Sequence, residues 1–545
     1  MRLLLIALLT ALPALAKPPA DPVVAKVDAV FAEYAKSDAP GCAVAVARGG
    51  VKVLEKGYGM ANLEYDVPIT PATIFEAGSV AKQFTAATIL TLANDGKLSI
   101  DDPVRKYIPE LDPSASAITI RQLLSHTSGL RDWGTIVGLA GWRRGTRLIT
   151  HAHALDILSR QRELNFAPGT QYVYNTGAYN VLAVVAERVS GKSFPDLTRE
   201  RIFAPLGMTH SSWRDDHTRV VKGRATGYDP AKDGYVSDMD IEDIYGNCCL
   251  LTTVGDLLLW NENFRTAKAI GRTALDAMQQ PATLASGTKI DYGFGLGIYD
   301  EPGHREVSHT GATAGYRAAL SRKLDDDLSI AVLCNRGDAG AGGLLDKVAA
   351  VFVPVTPPSP KTTNEPASII GLYRDLKTNA ILRIVSRDNA LHVSASPKGS
   401  GPVLAPAGDM RFRIGRSTRE LRFSGDEVHL ITLHKPEAVY RRVPEGKPSA
   451  ADLAAYAGRY ESDEAQATWV VTVDGGKLLV RIPPADSFSV EPTYVDGFSD
   501  DGDPLIHFTR DANGAIDGMD VKADFSVVDG SARIERMHFV RRAAK

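Results

Sequence analysis

The tetrad Ser79-Val80-Ala81-Lys82 places a hydroxyl and an amine three residues apart. It stands just ahead of an apolar run at 83–92 (QFTAATILTL), which Asn94-Asp95-Gly96 closes. The run predicts a helix with Ser79 near its start. Residues three apart share one helix face, so the lysine nitrogen reaches the serine oxygen. Serine needs a neighbouring base to be a useful nucleophile, and a lysine whose pKa is lowered by burial can be that base. The helix N-terminus adds free N–H groups and a partial positive charge, which favour an oxyanion. The chemistry is acyl transfer through a serine. A second copy of the pattern, Ser286-Gly287-Thr288-Lys289, lies in a polar stretch with no helix behind it and is read as chance.

Two further stretches carry candidate partners. Residues 171–180 (QYVYNTGAYN) run into a helical pattern at 181–189 and offer Tyr174, with Asn175 and Thr176 beside it. Residues 307–312 (VSHTGA) read as a strand late in the unit and bring His309, Thr310, Gly311 and Ala312. Serine and lysine, then a tyrosine near an amide, then a basic residue before Thr-Gly: this order resembles the serine β-lactamase and penicillin-binding superfamily. The segments 66–84 (DVPITPATIFEAGSVAKQF), 120–130 (IRQLLSHTSGL), 203–208 (FAPLGM) and 250–260 (LLTTVGDLLLW) are similar to recurring segments of that family. The resemblance spans about residues 23–353.

It implies that Ser79 is acylated, that Lys82 is its proton partner, and that Tyr174 relays the proton to the leaving group. The backbone N–H groups of Ser79 and Ala312 would hold the oxyanion. His309, Thr310 and Gly311 would line the site from the sheet side and bind substrate, His309 and Thr310 meeting a substrate carboxylate. Arg317 is a possible helper there, and a solvated strand residue is an equal reading of it. Two departures stand out. The family's tyrosine-x-asparagine reads Tyr174-Asn175-Thr176 here, so either Thr176 substitutes with its hydroxyl or a bulge presents Asn175. Histidine at 309 replaces the lysine usual in β-lactamases and resembles the DD-carboxypeptidase, D-aminopeptidase and esterase branches. Mostly neutral at pH 7, histidine is the weaker carboxylate anchor. His126 is read as holding a loop, and the adjacent Cys248-Cys249 as tight packing, with neither a bridge between them nor redox chemistry expected.

The elements that position these residues are strands near both ends of the unit, at 42–48, 51–54, 317–320 and 329–333, with helical patterns between, at 154–160 and 181–189. The expected fold is an α/β (α+β) domain at 17–353, one antiparallel sheet flanked by helices. A Pro-rich linker at 354–366 (PVTPPSPKTTNEP) follows. Beyond it the chain repeats: Gly371-Leu372-Tyr373 returns as Gly458-Arg459-Tyr460, Leu391-His392-Val393 as Leu478-Leu479-Val480, Leu421-Arg422-Phe423 as Ile506-His507-Phe508. Two small all-β, barrel-like domains are expected, at 367–445 and 450–543. In the second, residues 496–503 (DGFSDDGD) carry four carboxylates that would suit a substrate ammonium if the loop reached the cleft; a solvated hairpin tip is the plainer reading.

Arg2, the apolar run at 3–12 and Ala14-Leu15-Ala16 form a secretory signal peptide at 1–16, which predicts a secreted or periplasmic protein with no spanning segment after cleavage. A formal net charge of −3 over 545 residues recommends neither nucleic acid nor an anionic membrane as partner. Four cysteines are too few for a disulfide scaffold. Cys42 and Cys334 sit in strand-like runs and are read as buried free thiols in preference to a bridge. His151 and His153 have no partners at ligand spacing, so no metal and no cofactor is expected. The reading is an exported serine hydrolase acting on an amide or ester of a small molecule or peptide, peptidoglycan-derived peptides included. A D-aminopeptidase- or DD-carboxypeptidase-like peptidase comes first, then a carboxylesterase or weak β-lactamase. The rival from another class is a non-catalytic penicillin- or peptide-binding sensor.

Overall fold

Apolar strands from the two ends of the first unit pair to make its sheet. A computed structural model describes residues 22–543, apart from 143–144, 302–303, 354–366, 388–389, 395–400, 409, 415–418, 432–436, 485, 501–502 and 524–533. The expected signal peptide and Pro-rich linker lie outside the described residues. Strands β1 (Cys42–Arg48) and β2 (Val51–Tyr58) join β3 (Gly297–Glu301), β4 (His304–Thr313), β5 (Tyr316–Lys323) and β6 (Leu328–Cys334). Their order is β3-β4-β5-β6-β1-β2, antiparallel throughout. Every residue of β1 but Arg48 is buried, because helices cover both faces of the sheet. Helices α1 (Pro22–Val30) and α6 (Ala341–Phe352) pack on one face, against Val44, Val46, Ile330 and Val332. The helical layer packs on the other, against Ala43, Ala45, Ala331 and Leu333. Its members include α2 (Lys82–Asn94), α3 (Trp133–Leu139), α4 (Thr176–Ser190) and α5 (Val254–Thr266). Helix α2 is buried from Lys82 to Leu92, and its Thr85, Thr88 and Thr91 hydroxyls donate to the Gly246, Phe84 and Ala87 carbonyls.

Cys42 and Cys334 are register partners across β1 and β6 and form a disulfide, which corrects the expectation of two free thiols. The sequence hid this because 292 residues separate them and strand register is not written locally. Cys248 and Cys249 are free.

The C-terminal half holds two eight-stranded antiparallel sheets. One runs from Gly371–Arg374 to Ala438–Val443, its first strand paired with its eighth, and a bridge from His392 to Val403 nearly closes it. The other, from Gly458–Ser462 to Ile534–Arg542, is a closed barrel. The repeat landmarks fall on equivalent strands: Gly371 and Gly458 on the first, Leu391 and Leu478 on the third, Leu421 and Ile506 on the sixth. Most of them bury their side chains in the two barrel cores. The second barrel is built into the first unit. Ile136 and Leu139 of α3 belong to its core, and Trp469 Nε1 donates to the Leu139 carbonyl at 2.7 Å. Arg131, buried at the same seam, pairs with Glu464 at 2.5 Å and donates to the Arg536 carbonyl at 2.9 Å. Among the described residues, no helix is long and apolar enough to cross a membrane.

The bridge between Cys42 and Cys334 ties the two ends of the sheet, so a Cys42→Ala/Cys334→Ala chain should lose roughly 2–4 kcal/mol of stability. Chemical denaturation of both chains measures this, and an unchanged midpoint contradicts it.

Candidate active site

Ser79 sits in a single 3-10 turn, Gly78–Ala81, that feeds α2. Gly78 holds φ +51, and a Cβ there would lie 2.5 Å from the Ala312 nitrogen. A Cβ on Gly311 would lie 2.1 Å from the Ala77 carbonyl oxygen and 3.0 Å from the Ser79 nitrogen. The turn and β4 therefore touch backbone to backbone, which only glycine permits, and the amide nitrogens of Ser79 and Ala312 flank one contact. Lys82, fully buried, donates from Nζ to Ser79 Oγ at 3.0 Å and to the Asn247 carbonyl at 2.9 Å. The Tyr174 and Tyr179 rings lie 4.8 and 5.7 Å from that nitrogen. Asn180 steadies Asn247: its Nδ2 donates to Asn247 Oδ1 at 2.7 Å while its Oδ1 accepts from Trp133 Nε1 at 2.8 Å. Ser286, by contrast, is in an exposed turn, with its hydroxyl on Thr288.

His126 brackets Tyr174. Its carbonyl accepts from the Val173 N–H at 3.1 Å and its Nδ1 from the Asn175 N–H at 3.2 Å, and its ring lies 4.2 Å from the Tyr174 ring. An Nδ1 that accepts leaves the proton on Nε2, and the rest of the chain follows. His126 Nε2 donates to the Tyr292 hydroxyl at 3.2 Å, that hydroxyl donates to His309 Nε2 at 3.0 Å, and His309 Nδ1 donates to the Thr310 carbonyl at 2.6 Å. Both imidazoles are neutral in this pattern. Burial first, and the nearby Lys82 charge second, lower His126 well below the ordinary range and His309 to about 3. Burial likewise pushes the Tyr292 hydroxyl up. Tyr292 escaped the sequence reading because it stands in DYGFG, outside any motif.

Several expected substrate contacts are corrected by side-chain direction. His309 uses both ring nitrogens inside the protein and does not present either to a substrate carboxylate. Because side chains alternate along a strand, Thr310 points the other way and packs toward Gly342 of α6. Arg317, the register partner of Ala312, borders the same depression as Thr310 and donates to the Ala314 and Tyr316 carbonyls at 2.8 Å. Asn175 caps α4, its Oδ1 accepting from the Ala178 N–H at 2.8 Å. Thr176, at the third motif position, lines the cavity and donates to Asp132 at 2.6 Å.

That cavity measures about 620 Å³ and holds Ser79, Ala312 and Thr313 in its wall. Asp132, Asp229, Asp238, Asp240 and Glu242 also line it; among the described residues Arg147 is the cation there. Asp132 is fixed by the Thr176 hydroxyl and by the Gly177 and Thr135 N–H groups, at 2.6, 2.8 and 3.2 Å. Asp240 accepts from Thr313 at 3.2 Å and lies 3.3 Å from Arg214. The second barrel closes the cavity with Ile482, Ser487 and Phe488. The acidic loop expected to be a candidate for that role is tied elsewhere: Asp496 accepts from Tyr456 at 2.7 Å and pairs with Arg510 at 2.6 Å, while Asp501 and Gly502 lie outside the described residues. Glu76, Cys248 and Cys249 gather within 4.8 Å, the spacing of metal ligands. Glu76 is already paired with Arg214 at 3.0 Å and Arg224 at 3.2 Å, so a divalent cation fits poorly beside it.

Residues 27–352 match the Beta-lactamase family, and residues 442–536 match a domain of unknown function, DUF3471. The D-aminopeptidase of Brucella canis is 29% identical over 443 residues, 81% of this chain and 82% of that protein. The D-aminopeptidase of Brucella anthropi is 26% identical over 444 residues, with the same shares. Among solved structures, the octameric penicillin-binding protein homologue from Pyrococcus abyssi shares the fold with TM-score 0.56 at 24% identity, over 77% of this chain and all of that one. A D-amino acid amidase from Ochrobactrum anthropi SV3 does so with TM-score 0.51 at 21% identity, over 61% of this chain and 99% of its own.

The neutral state of His309 sets a pH dependence. An unfolded histidine binds its proton near pH 6.5 and the folded one only near 3, so the unfolded state holds more protons in between. Stability therefore falls as pH drops through that window, by up to about 1.4 kcal/mol per pH unit for this group. His309→Gln, which keeps an acceptor and a donor, should flatten the acid limb of Tm against pH; parallel curves contradict the assignment.

Proposed function

The chain belongs to the Beta-lactamase family, and on that premise we propose that this serine hydrolase cleaves the amide beside a residue with a free α-ammonium, as a D-aminopeptidase or D-amino-acid amidase would. The charge of the Ser79 cavity carries the reading. Among the described residues five carboxylates line it against one cation, Arg147, with Asp240 also paired to Arg214, a net field that draws an ammonium in and opposes a carboxylate. A DD-carboxypeptidase has to hold a free C-terminal carboxylate; His309 and Arg317, the residues the resemblance offered for that, are turned away from the cavity, and among the described residues Arg147 is the cation left in its wall. The apolar part of the wall, with Trp133, Val137, Met239 and Phe488, suits an uncharged side chain. Export through residues 1–16 belongs to the proposal.

In this reading Ser79 Oγ attacks the carbonyl carbon and its proton passes to Lys82 Nζ, which acts in its neutral form. The oxyanion meets the Ser79 and Ala312 N–H groups across the glycine contact. Tyr174, whose ring lies beside Lys82, passes a proton to the leaving amine, and water then cleaves the acyl-enzyme by the reverse path.

A fluorophosphonate probe should label Ser79 alone. Ser79→Ala should abolish labelling and Ser286→Ala should not; Tyr174→Phe should cost about 10²–10⁴ in turnover. Labelling that persists in Ser79→Ala removes the nucleophile assignment.

Substrate charge tests the rest. A D-amino-acid amide should be hydrolysed, and N-acetylating it should lower kcat/KM at least about tenfold, ~1.4 kcal/mol of transition-state binding. If the acetylated amide or a D-Ala-D-Ala peptide is the better substrate, the ammonium reading fails.

A further inference from the structure

Cys248 and Cys249 stand at one wall of the catalytic cavity with their sulfurs 2.7 Å apart. Consecutive residues of an extended chain point to opposite sides. Here Cys249 adopts φ +70, a left-handed conformation rare for any residue with a Cβ, and this turns both thiols to the same side. Cys248 lines the cavity, while Cys249 is fully buried behind it and accepts from Arg214 Nη2 at 3.1 Å. The flanking residues are both tied to the catalytic turn. The Asn247 carbonyl accepts from Lys82 Nζ, and the Leu250 carbonyl accepts from the Ala77 N–H at 2.8 Å. A change in the peptide between the two cysteines therefore acts on Lys82 from one side and on the Ser79 turn from the other. Packing alone explains neither the left-handed backbone nor two thiols turned together, and the paired arginines on Glu76 disfavour a metal.

We propose that Cys248 and Cys249 are a peroxide-reactive dithiol in the cavity wall, which closes to a disulfide between neighbouring residues and slows acylation of Ser79. The sulfurs need to approach only from 2.7 Å to the roughly 2.05 Å of a disulfide. Hydrogen peroxide entering the cavity meets Cys248 first. The sulfur attacks one peroxide oxygen, the O–O bond breaks, and Cys248 becomes a sulfenic acid with release of one water. Cys249 then attacks that sulfur: the S–S bond forms, the S–O bond breaks, and a second water leaves with the Cys249 proton. Two thiols have lost two electrons and peroxide has gained them. Burial holds Cys249 protonated, so it waits as the resolving thiol until the sulfenic acid forms beside it. A dithiol reductant returns both thiols.

The test uses the full chain treated with hydrogen peroxide, denatured, alkylated with iodoacetamide and mapped by mass. The peptide holding residues 248–249 should lose two hydrogens and carry no alkyl group, and dithiothreitol before alkylation should restore both sites. The peptide holding residues 248–249 is mapped by itself, so the Cys42–Cys334 bridge does not enter the difference. In parallel, the rate of fluorophosphonate labelling of Ser79 should fall several-fold with peroxide and recover with dithiothreitol. Each chain is compared with its own untreated sample. Cys249→Ser should show one oxygen added at Cys248 and no bridge. Two alkylatable thiols after peroxide overturn the site. A mapped bridge with an unchanged labelling rate overturns its action on Ser79. The mapping stands whatever the substrate proves to be.

Discussion

The backbone contact between the Gly78–Ala81 turn and β4 is the constraint on which the site depends. A methyl group on Gly78 or Gly311 would overlap the opposing main chain, so no other side chain leaves both amide nitrogens at one spot. The contact has two long-range supports. Helix α2 is buried on every side, which fixes the turn that enters it. Strand β4 is placed by β5 and β6, and β6 in turn by β1 from the other end of the unit. The Ser79–Lys82 pair is thus local in sequence, but its environment exists only when the two ends of the chain segment have paired.

The chemistry around that contact depends on which groups carry charge. Lys82 is a buried amine whose protonated form would oppose another cation nearby, and burial first with that charge second lowers the basicity of His309 and His126. The chain from His126 through Tyr292 to His309 solves this with neutral groups, each donor matched to an acceptor. One consequence is positional: Tyr174 is pinned by the N–H groups on both sides of it. The other concerns selectivity. A lysine at 309, usual among β-lactamases, would bring a positive charge; a neutral, internally satisfied histidine leaves the cavity to its carboxylates. One fold can in this way invert the charge it prefers in a substrate through a few side chains.

The pairing of Ser79 with Lys82 was legible because the pattern, the apolar run and the helix stop agree locally. The register of Tyr174 was legible from the helix that follows it, and the barrels from landmarks that recur on matching strands. What stayed hidden depends on tertiary geometry. Resemblance carries a residue to a position but not to a face of the sheet: Thr310 packs toward Gly342, Arg317, for which a solvated strand residue is an equal reading, borders the same depression, and His309 spends both ring nitrogens on Tyr292 and the Thr310 carbonyl. The Cys42–Cys334 bridge needed the β1–β6 register. Tyr292 acts only through a contact with two residues distant in sequence. The hairpin bearing Ile482 and Phe488 was overlooked in favour of a more acidic loop, because composition shows what a loop can bind and not where docking puts it.

Docking also explains why the second barrel is more than a cover. Arg131, held between Glu464 and the Arg536 carbonyl, immediately precedes Asp132, which fixes Thr176 and Gly177 at the start of α4. The next residue, Trp133, begins α3, whose far end accepts from Trp469 of the barrel core. Trp133 holds Asn180, Asn180 holds Asn247, and the Asn247 carbonyl holds Lys82. A continuous set of packed and hydrogen-bonded groups thus joins the barrel to the amine beside Ser79. Separated from the barrel, α3 would expose Ile136 and Leu139 to water and the buried Arg131 would lose Glu464 and the Arg536 carbonyl, keeping only Gln161 and Glu163, at a cost that falls on the segment forming the cavity wall. The barrel therefore supports the cavity from behind as well as closing it in front.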